Sequence, residues 1–239
     1  MNYFLFIGLP YATLLIFIIG WAYKYNQKSF QVSSLSTQFL EGKNLFWGSQ
    51  PFHWGIVIIL SGHFIGFLFP KTVIAWNGIH VRLLVLEVSA LIFSFSALLG
   101  VILLIYRRLN NKRVRILTSK ADILVYIVIF VQVVTGIWIA LFFRWGSSWY
   151  ASTMVPYLKS ILFLSPDIDA LVQMPFMVKA HVISAFTLVG LIPFTRFSHF
   201  MVFPISYYWR DPQLVFWNRD RKTIRSSKRI FPGVKSKNN

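Results

Sequence analysis

Five long apolar runs divide the chain, and each has the length of a membrane-crossing helix. A helix rises about 1.5 Å per residue, so about 20 apolar residues cross the hydrocarbon core of a bilayer. Gly8 and Pro10, near the start of the first run, predict a bend there. The pattern predicts an all-α membrane protein, a five-transmembrane-helix bundle with spans at 4–23, 52–69, 83–106, 123–143 and 176–203.

The composition supports a membrane protein and excludes several kinds of site. Of the 239 residues, 56% are hydrophobic and 13% are charged, whereas soluble domains carry about 25% charged residues. The chain has no cysteine. Disulfides, thiolate-held iron–sulfur clusters, c-type haem attachment and cysteine–zinc sites are therefore excluded within this chain.

Lysine and arginine predict the orientation of the bundle. Most of them lie in 24–51, in 107–120 and from Arg196 onward, and these segments share one side. By the positive-inside rule the N-terminus is outside and the C-terminus inside. The net charge of +17 then suits anionic membrane lipid or an acidic partner at the inner face, and no nucleic-acid-binding module is expected. We predict a five-helix domain at 1–205 and a basic cytoplasmic tail at 206–239.

Four of the five histidines lie within the apolar runs, where ionisable groups usually mark function. His53 and His63 lie on the second run, and His181 and His199 lie on the fifth. These two runs are antiparallel, so depth pairs His53 with His199 at the inner side and His63 with His181 at the outer side. Each pair could hold one haem iron through two imidazoles, which predicts two b-type haems.

The spacing of the histidines strains this interpretation. Ten residues separate the first two, about 15 Å of helix, while eighteen separate the others, about 27 Å and five whole turns on one face. A kink at Pro193 is expected to absorb part of the difference. The alternative is that the histidines are structural and the chain is a non-catalytic membrane anchor. Gly55, Gly62 and Gly66 favour close helix packing. The alternative is that Gly62 and Gly66, which flank His63, leave room for a porphyrin.

Polar residues near the two pairs are the remaining candidates. Arg196 lies three residues before His199 and is a candidate partner for a haem propionate. At the outer side, His80 and Arg82 lie beyond His63, and 144–175 is predicted to form a short amphipathic helix over an outer pocket. A quinol bound there would release its protons outside and pass electrons inward. Gln132 and Thr135, inside the fourth run, are expected to form hydrogen bonds between helices.

These motifs resemble the gamma subunit family of membrane-bound respiratory nitrate reductase, over residues 3–216. The matching motifs are Gly62-His63-Phe64 and Gly66, His53, RRL at 107–109, RVR at 113–115, ADIL at 121–124, His181, Pro193-Phe194-Thr195-Arg196, His199, Pro204 and Gln213-Leu214-Val215. The histidine spacings of ten and eighteen are also those of the family.

The resemblance implies a quinol-oxidising cytochrome b of the cytoplasmic membrane with two haems b. The distal haem would be held by His63 and His181, and the proximal haem by His53 and His199. Electrons would pass to an iron–sulfur subunit and then to a molybdenum catalytic subunit on the inner face, as in nitrate respiration.

The chain departs from the family at the quinol pocket, where the family has a lysine near the outer start of the third span. Here the sequence reads IHVRLLVLE. Arg82 is the first candidate for the missing lysine, His80 is the second, and Gly62 is assigned to the same pocket. The alternatives are the equivalent subunit of a nitrite-oxidising complex or of a sulfite- or heterodisulfide-type complex, with a different electron direction.

Overall fold

The computed structural model describes residues 2–28, 37 and 40–201, and these residues form helices without any strand. Five of the helices are long and apolar enough to cross a membrane, as predicted. The first begins with a π-helical turn at Phe4–Gly8, where the sequence predicted a bend, and continues as α1 (Leu9–Lys28). The others are α2 (Lys43–Leu68), α4 (His80–Asn110), α6 (Lys120–Phe142) and α10 (Phe176–Leu191). The predicted tail at 206–239 lies outside the described residues.

Short helices fill the connections between the spans. They are α3 (Pro70–Asn77), α5 (Lys112–Ile116), α7 (Gly146–Trp149), a π-helical turn at Tyr150–Met154, α8 (Val155–Leu162) and α9 (Asp169–Val172). The predicted helix in 144–175 is confirmed. Tyr157 and Ile161 of α8 are buried, and the Tyr157 hydroxyl donates to the Phe6 carbonyl at 2.9 Å. This connection is therefore packed onto the bundle.

The five spans pack in an order that leaves the two histidine-bearing helices apart. α2 packs on α4, α4 on α6, α6 on α10, and α10 on α1, whereas α2 and α10 are not a closely packed pair. We call the end with the α2 and α6 N-termini the basic end, and the opposite end, covered by α3 and α7–α9, the loop end. The His53 and His199 rings come together across the gap between α2 and α10 at the basic end.

Glycines allow α2 and α4 to approach closely. A Cβ atom at Gly100 would lie 2.5 Å from the backbone nitrogen of Phe52, and one at Gly55 would lie 2.6 Å from that of Ala97. Gly55 therefore allows α2 to pack closely on α4. Gly66 similarly allows the Tyr150 ring to lie close to α2. Gly62 differs, since nothing lies within 4 Å of a Cβ placed there.

We expect Gly100→Val to destabilise the bundle by about 1–3 kcal/mol, the usual cost of overpacking a close contact. The backbone of α2 lies against this position, so the strain cannot be relieved by rotating a side chain. Gly8→Val is the matched control, because its nearest neighbours are at ordinary contact distance. Thermal unfolding of the purified protein measures the difference, and equal unfolding temperatures for the two variants would contradict the packing assignment.

The fifth span is broken near its basic end, which corrects the expectation of five regular turns between His181 and His199. α10 ends at Leu191, a 3-10 turn covers Ile192–Phe194, Thr195 is extended (ψ 179°), and a second 3-10 turn covers Arg196–Met201. Proline has no N–H to continue the helical hydrogen bonds. The two histidines therefore lie on separate helical segments, and helical periodicity does not set their relative direction.

Side chains of α1 hold the broken segment. The Lys24 ammonium donates to the Pro193 carbonyl at 3.2 Å and to the Ser198 hydroxyl at 2.6 Å. A Cβ at Gly20 would lie 2.9 Å from the Pro193 ring, so α1 is closely packed there. Because Ser198 precedes His199, these contacts fix the turn that carries this histidine.

Candidate functional site with two histidine pairs

The basic-end pair has the separation of two ligands that share one metal ion. The ring centroids of His53 and His199 are 6.5 Å apart, with their planes at 61°. A metal–imidazole bond is about 2 Å long, so two rings bound to opposite sides of one metal have centroids roughly 6 Å apart. The predicted pairing of His53 with His199 is therefore brought together by the fold.

The ring orientation of both residues also suits metal binding. Nδ1–H of His53 donates to the Ser49 carbonyl at 2.8 Å, and Nδ1–H of His199 donates to the Arg196 carbonyl. A carbonyl can only accept, so the proton is on Nδ1 and the lone pair is on Nε2. Metal-ligating histidines typically donate their other N–H in this way. Within the described part of the chain, Nε2 of both rings has no hydrogen-bond partner.

Arg196 connects the His199 turn to α6. Its Nε atom donates to Asp122 Oδ1 at 2.7 Å, and its Nη2 atom donates to the other carboxylate oxygen at 3.1 Å. Asp122 also forms a capping box with Ser119 at the start of α6 and faces Arg108 at 3.7 Å. Asp122 therefore stabilises the helix N-terminus and also anchors Arg196. The role of Arg196 at a haem propionate stays a prediction.

A second ion pair at the basic end fixes the connection that precedes α2. Arg107 is buried and donates from Nε to Glu41 at 2.6 Å, and its Nη atoms donate to Thr37. Burial acts to raise the pKa of Glu41, but hydrogen bonds from Asn44 and Arg107 and the Arg107 charge hold that pKa below its usual value. Glu41 is therefore ionised at neutral pH and keeps Arg107 paired.

His63 of the loop-end pair has the same tautomer as the basic-end histidines. Its Nδ1–H donates to the Ile59 carbonyl at 2.9 Å. The Tyr150 ring lies 5.1 Å from the imidazole, and its hydroxyl donates to the His63 carbonyl at 3.1 Å. Burial raises the pKa of Tyr150 to about 12, so this hydroxyl keeps its proton at neutral pH.

A pocket of about 510 Å³ lies beside His63. Its lining is mostly apolar and comes from α2, the turn at Tyr150 and α8. It is a shallow, open depression of the surface and not an enclosed cavity. The lining residues are Leu60, Ser61, His63, Phe64, Phe67, Tyr150 and Leu158.

His181 is held by polar side chains of α6. Its Nδ1 atom lies 3.0 Å from the Thr135 hydroxyl, and its Nε2 atom lies 3.0 Å from the Gln132 amide nitrogen. The Ser184 hydroxyl donates to the Gln132 amide oxygen. His63 lies within the last two turns of α2, and His181 lies within the first two turns of α10. The predicted partners of the loop-end pair therefore lie at the same end of the bundle.

Arg82 and His80 lie at the start of α4, at the loop end as expected. The Arg82 guanidinium stacks 4.8 Å from the centre of the Trp76 ring, and the His80 ring lies 5.6 Å from that of Trp145. Neither side chain lines the pocket beside His63. Their assignment to a quinol stays a prediction.

Comparison with known proteins identifies the family. The family model of the nitrate reductase gamma subunit matches residues 2–218. The chain belongs to the nitrate reductase gamma subunit family. It is 33% identical over 207 residues to the nitrate reductase gamma chain of Bacillus subtilis, covering 85% of this chain and 92% of that protein. It is 31% identical over 220 residues to the respiratory nitrate reductase 1 gamma chain of Escherichia coli, covering 90% and 97%.

A longer relative matches almost all of this chain over only part of its own length. The chain is 29% identical over 228 residues to the nitrate reductase-like protein NarX of Mycobacterium tuberculosis, covering 92% of this chain and 34% of that protein. Gamma subunits are the cytochrome b membrane subunits of nitrate reductase, an oxidoreductase complex. The resemblance found from the sequence is therefore confirmed at the level of the family.

The histidine arrangement of this gamma-family chain fits a bound haem. Among the described residues, no three His, Asp or Glu side chains come together as ligands for a metal ion alone. The His53 and His199 rings instead face each other beside α2 and α10, which do not pack closely. A porphyrin supplies four ligands of its own, so its iron needs one imidazole on each side.

Sequence reasoning missed several neighbours of the histidines in this gamma-family chain. Tyr150 lies in the 144–175 segment that was predicted to cover the outer pocket, but its contact with His63 was not predicted. Gln132 and Thr135 were correctly expected to link helices, but the link runs through His181. The available signal was their spacing, since two polar residues three positions apart share one face of an otherwise apolar helix.

Proposed function

We propose that this chain is the dihaem cytochrome b subunit that transfers electrons between the quinone pool and an iron–sulfur and molybdenum nitrate reductase-type complex. The observation that carries the proposal is the 6.5 Å approach of the His53 and His199 rings across a gap between helices that do not pack closely. Structural histidines in an apolar bundle would be expected to bond to polar neighbours through both nitrogens. In His53 and His199, Nδ1 is bonded and Nε2 has no hydrogen-bond partner among the described residues.

Four histidines hold the two haems in this proposal. His53 and His199 bind the haem at the basic end, and His63 and His181 bind the haem at the loop end. Arg196 contributes positive charge beside the basic-end propionates. When bound, the two haems carry single electrons from a quinol at the loop end to the iron–sulfur subunit at the basic end.

The partner subunits dock at the basic end in this proposal. Lys112, Arg113 and Arg115 of α5 are exposed there, and basic residues favour the cytoplasmic side. The N-terminus is therefore outside the cytoplasmic membrane and the C-terminus inside. Electrostatic complementarity would orient an acidic face of the iron–sulfur subunit toward α5.

The quinol binds at the loop end, beside His63. Leu60, Phe64 and Phe67 provide an apolar surface for its ring, and the open space beside Gly62 lets the ring approach the histidine backbone. The side chains of Arg82 and His80 are exposed at this end. Arg82 donates a hydrogen bond to a quinol oxygen, and His80 accepts a released proton at a neutral ring nitrogen.

Membranes that contain the complete complex test the electron direction. A quinol analogue is expected to reduce the b haems, and nitrate is expected to reoxidise them. Reduction of the haems by nitrite or sulfite instead would favour one of the related complexes. A failure of both quinol and nitrate to change the haem spectrum would favour a membrane anchor without electron transfer.

We expect Arg82→Ala to slow haem reduction by the quinol analogue by at least about tenfold, the usual effect of losing one charged hydrogen bond. Lys71→Ala is the matched control, because Lys71 is an exposed cation at the same end and has no proposed contact with the quinol. Stopped-flow reduction measures both rates. Equal rates for Arg82→Ala and wild type would remove Arg82 from the quinol site.

A further inference from the structure

His181 differs from the other three histidines in how its ring is held. His53, His63 and His199 donate from Nδ1 to backbone carbonyls of their own segments. His181 instead bonds through both ring nitrogens to α6, a helix that supplies no histidine. Its ring orientation is therefore controlled by another span.

The hydrogen bonds of Thr135 assign the tautomer of His181. The Thr135 hydroxyl donates to the Val131 carbonyl at 2.7 Å. Its oxygen is then left to accept, and the atom 3.0 Å away is Nδ1 of His181. The ring therefore carries its proton on Nδ1 and its lone pair on Nε2, which is the tautomer of the other three histidines.

Gln132 lies in the direction in which Nε2 presents its lone pair. Its amide N–H donates to Nε2 at 3.0 Å, and its amide oxygen accepts from Ser184. A metal on Nε2 and the Gln132 amide cannot occupy the same direction. Ser184 has a second acceptor in the His181 carbonyl at 3.0 Å, so it keeps a hydrogen bond when Gln132 moves.

Gly136 lets the ring lie directly against α6. A Cβ atom there would be 3.1 Å from Cε1 of His181. Thr135 is buried, whereas Gln132 is half-buried and has a long side chain that can rotate away. The rigid contact is therefore the one at Nδ1, and the movable contact is the one at Nε2.

We propose that Thr135 is the positioning residue for His181, and that Gln132 is a placeholder that holds Nε2 until the haem displaces it. This inference rests on the proposed function, because it takes His181 as a haem ligand. An acceptor on Nδ1–H makes the imidazole a stronger donor to iron. Loss of that acceptor weakens haem binding and makes the midpoint potential of the loop-end haem more positive.

Three variants of the full complex separate the two roles. Thr135→Val removes the hydroxyl at similar volume, and Thr135→Ser keeps it. Gln132→Leu removes the amide. We expect Thr135→Val to weaken binding of the loop-end haem by about 10–100-fold, with a positive shift of its potential. We expect Thr135→Ser and Gln132→Leu to retain this haem.

Haem loss to an apoprotein acceptor and a redox titration are the two readouts, and the basic-end haem of the same protein reports correct folding. Thr135→Ala removes the same hydroxyl without adding a methyl group, so the test does not depend on how one variant folds. Equal haem retention and potential in wild type, Thr135→Val and Thr135→Ala would overturn the inference. Haem loss in Gln132→Leu alone would also overturn it.

The same measurements distinguish failure of the proposed function. If His181→Ala and wild type have the same haem content, His181 is not a ligand, and both proposals are overturned. If His181→Ala loses a haem while the Thr135 variants behave as wild type, only the positioning role is overturned.

Discussion

His181→Ala is expected to lower the haem content of the purified complex from two b haems per chain to one. The alanine offers no ligand, and the loop-end iron would keep only His63 on one side. The basic-end haem is expected to remain, because His53 and His199 are held by their own backbone carbonyls and by contacts at the other end of the bundle. Quinol-driven reduction is expected to fall by at least about 100-fold, since a ligand of the proposed electron acceptor is lost.

His80→Ala is the control for this experiment. His80 lies at the same end but packs against Trp145 and has no histidine partner. It is therefore expected to keep both haems. Retention of two haems in His181→Ala, or loss of one in His80→Ala, would contradict the assignment of the loop-end pair.

His199→Ala is expected to remove the basic-end haem and to leave the loop-end haem in place. A quinol analogue would then still reduce the remaining haem, while reoxidation by nitrate would fall by at least about 100-fold, because the proposed route to the partner subunit is interrupted. Difference spectra recorded after each addition measure the two steps separately.

Ser198→Ala is the control for His199→Ala. It removes the hydroxyl that accepts from Lys24 but leaves the histidine in place, so it tests whether disturbance of the 3-10 turn alone has the same effect. We expect it to keep both haems. If nitrate still reoxidises the haem of His199→Ala at the wild-type rate, the basic-end pair does not lie on the route.

The bundle could be predicted from the sequence because the bilayer imposes a length on every apolar run. The observed α6 (Lys120–Phe142) and α4 (His80–Asn110) lie within a few residues of the predicted spans at 123–143 and 83–106. α2 begins nine residues before its predicted start, because the polar turn from Lys43 continues the helix and Pro51 is tolerated inside it. Helix ends in polar sequence are not marked by hydropathy.

The pairing of the histidines could be predicted from the order of the spans, but the side chains that contact each histidine could not. In a bilayer, both lipid-facing and protein-facing sides of a helix are apolar, so hydropathy does not tell which way a helix is rotated. The contacts of Thr135 and Gln132 with His181 depend on that rotation. The same is true of Gly100, whose close approach to Phe52 could not be found from α4 alone.

The break at Thr195 is a second feature that the sequence did not predict. Pro193 indicated a kink, whereas the chain leaves the helix and forms two 3-10 turns. Contacts from α1, through Lys24 and Gly20, stabilise that departure. They depend on a neighbouring span, so local propensity could not reveal them.

A haem assay combined with a redox titration of the purified complex tests the central claim most directly. The histidine pairs predict two b haems per chain, with a b-type alpha band in the reduced-minus-oxidised spectrum that titrates in two steps. No b-type band, or a single haem per chain that persists in both His181→Ala and His199→Ala, would contradict the account.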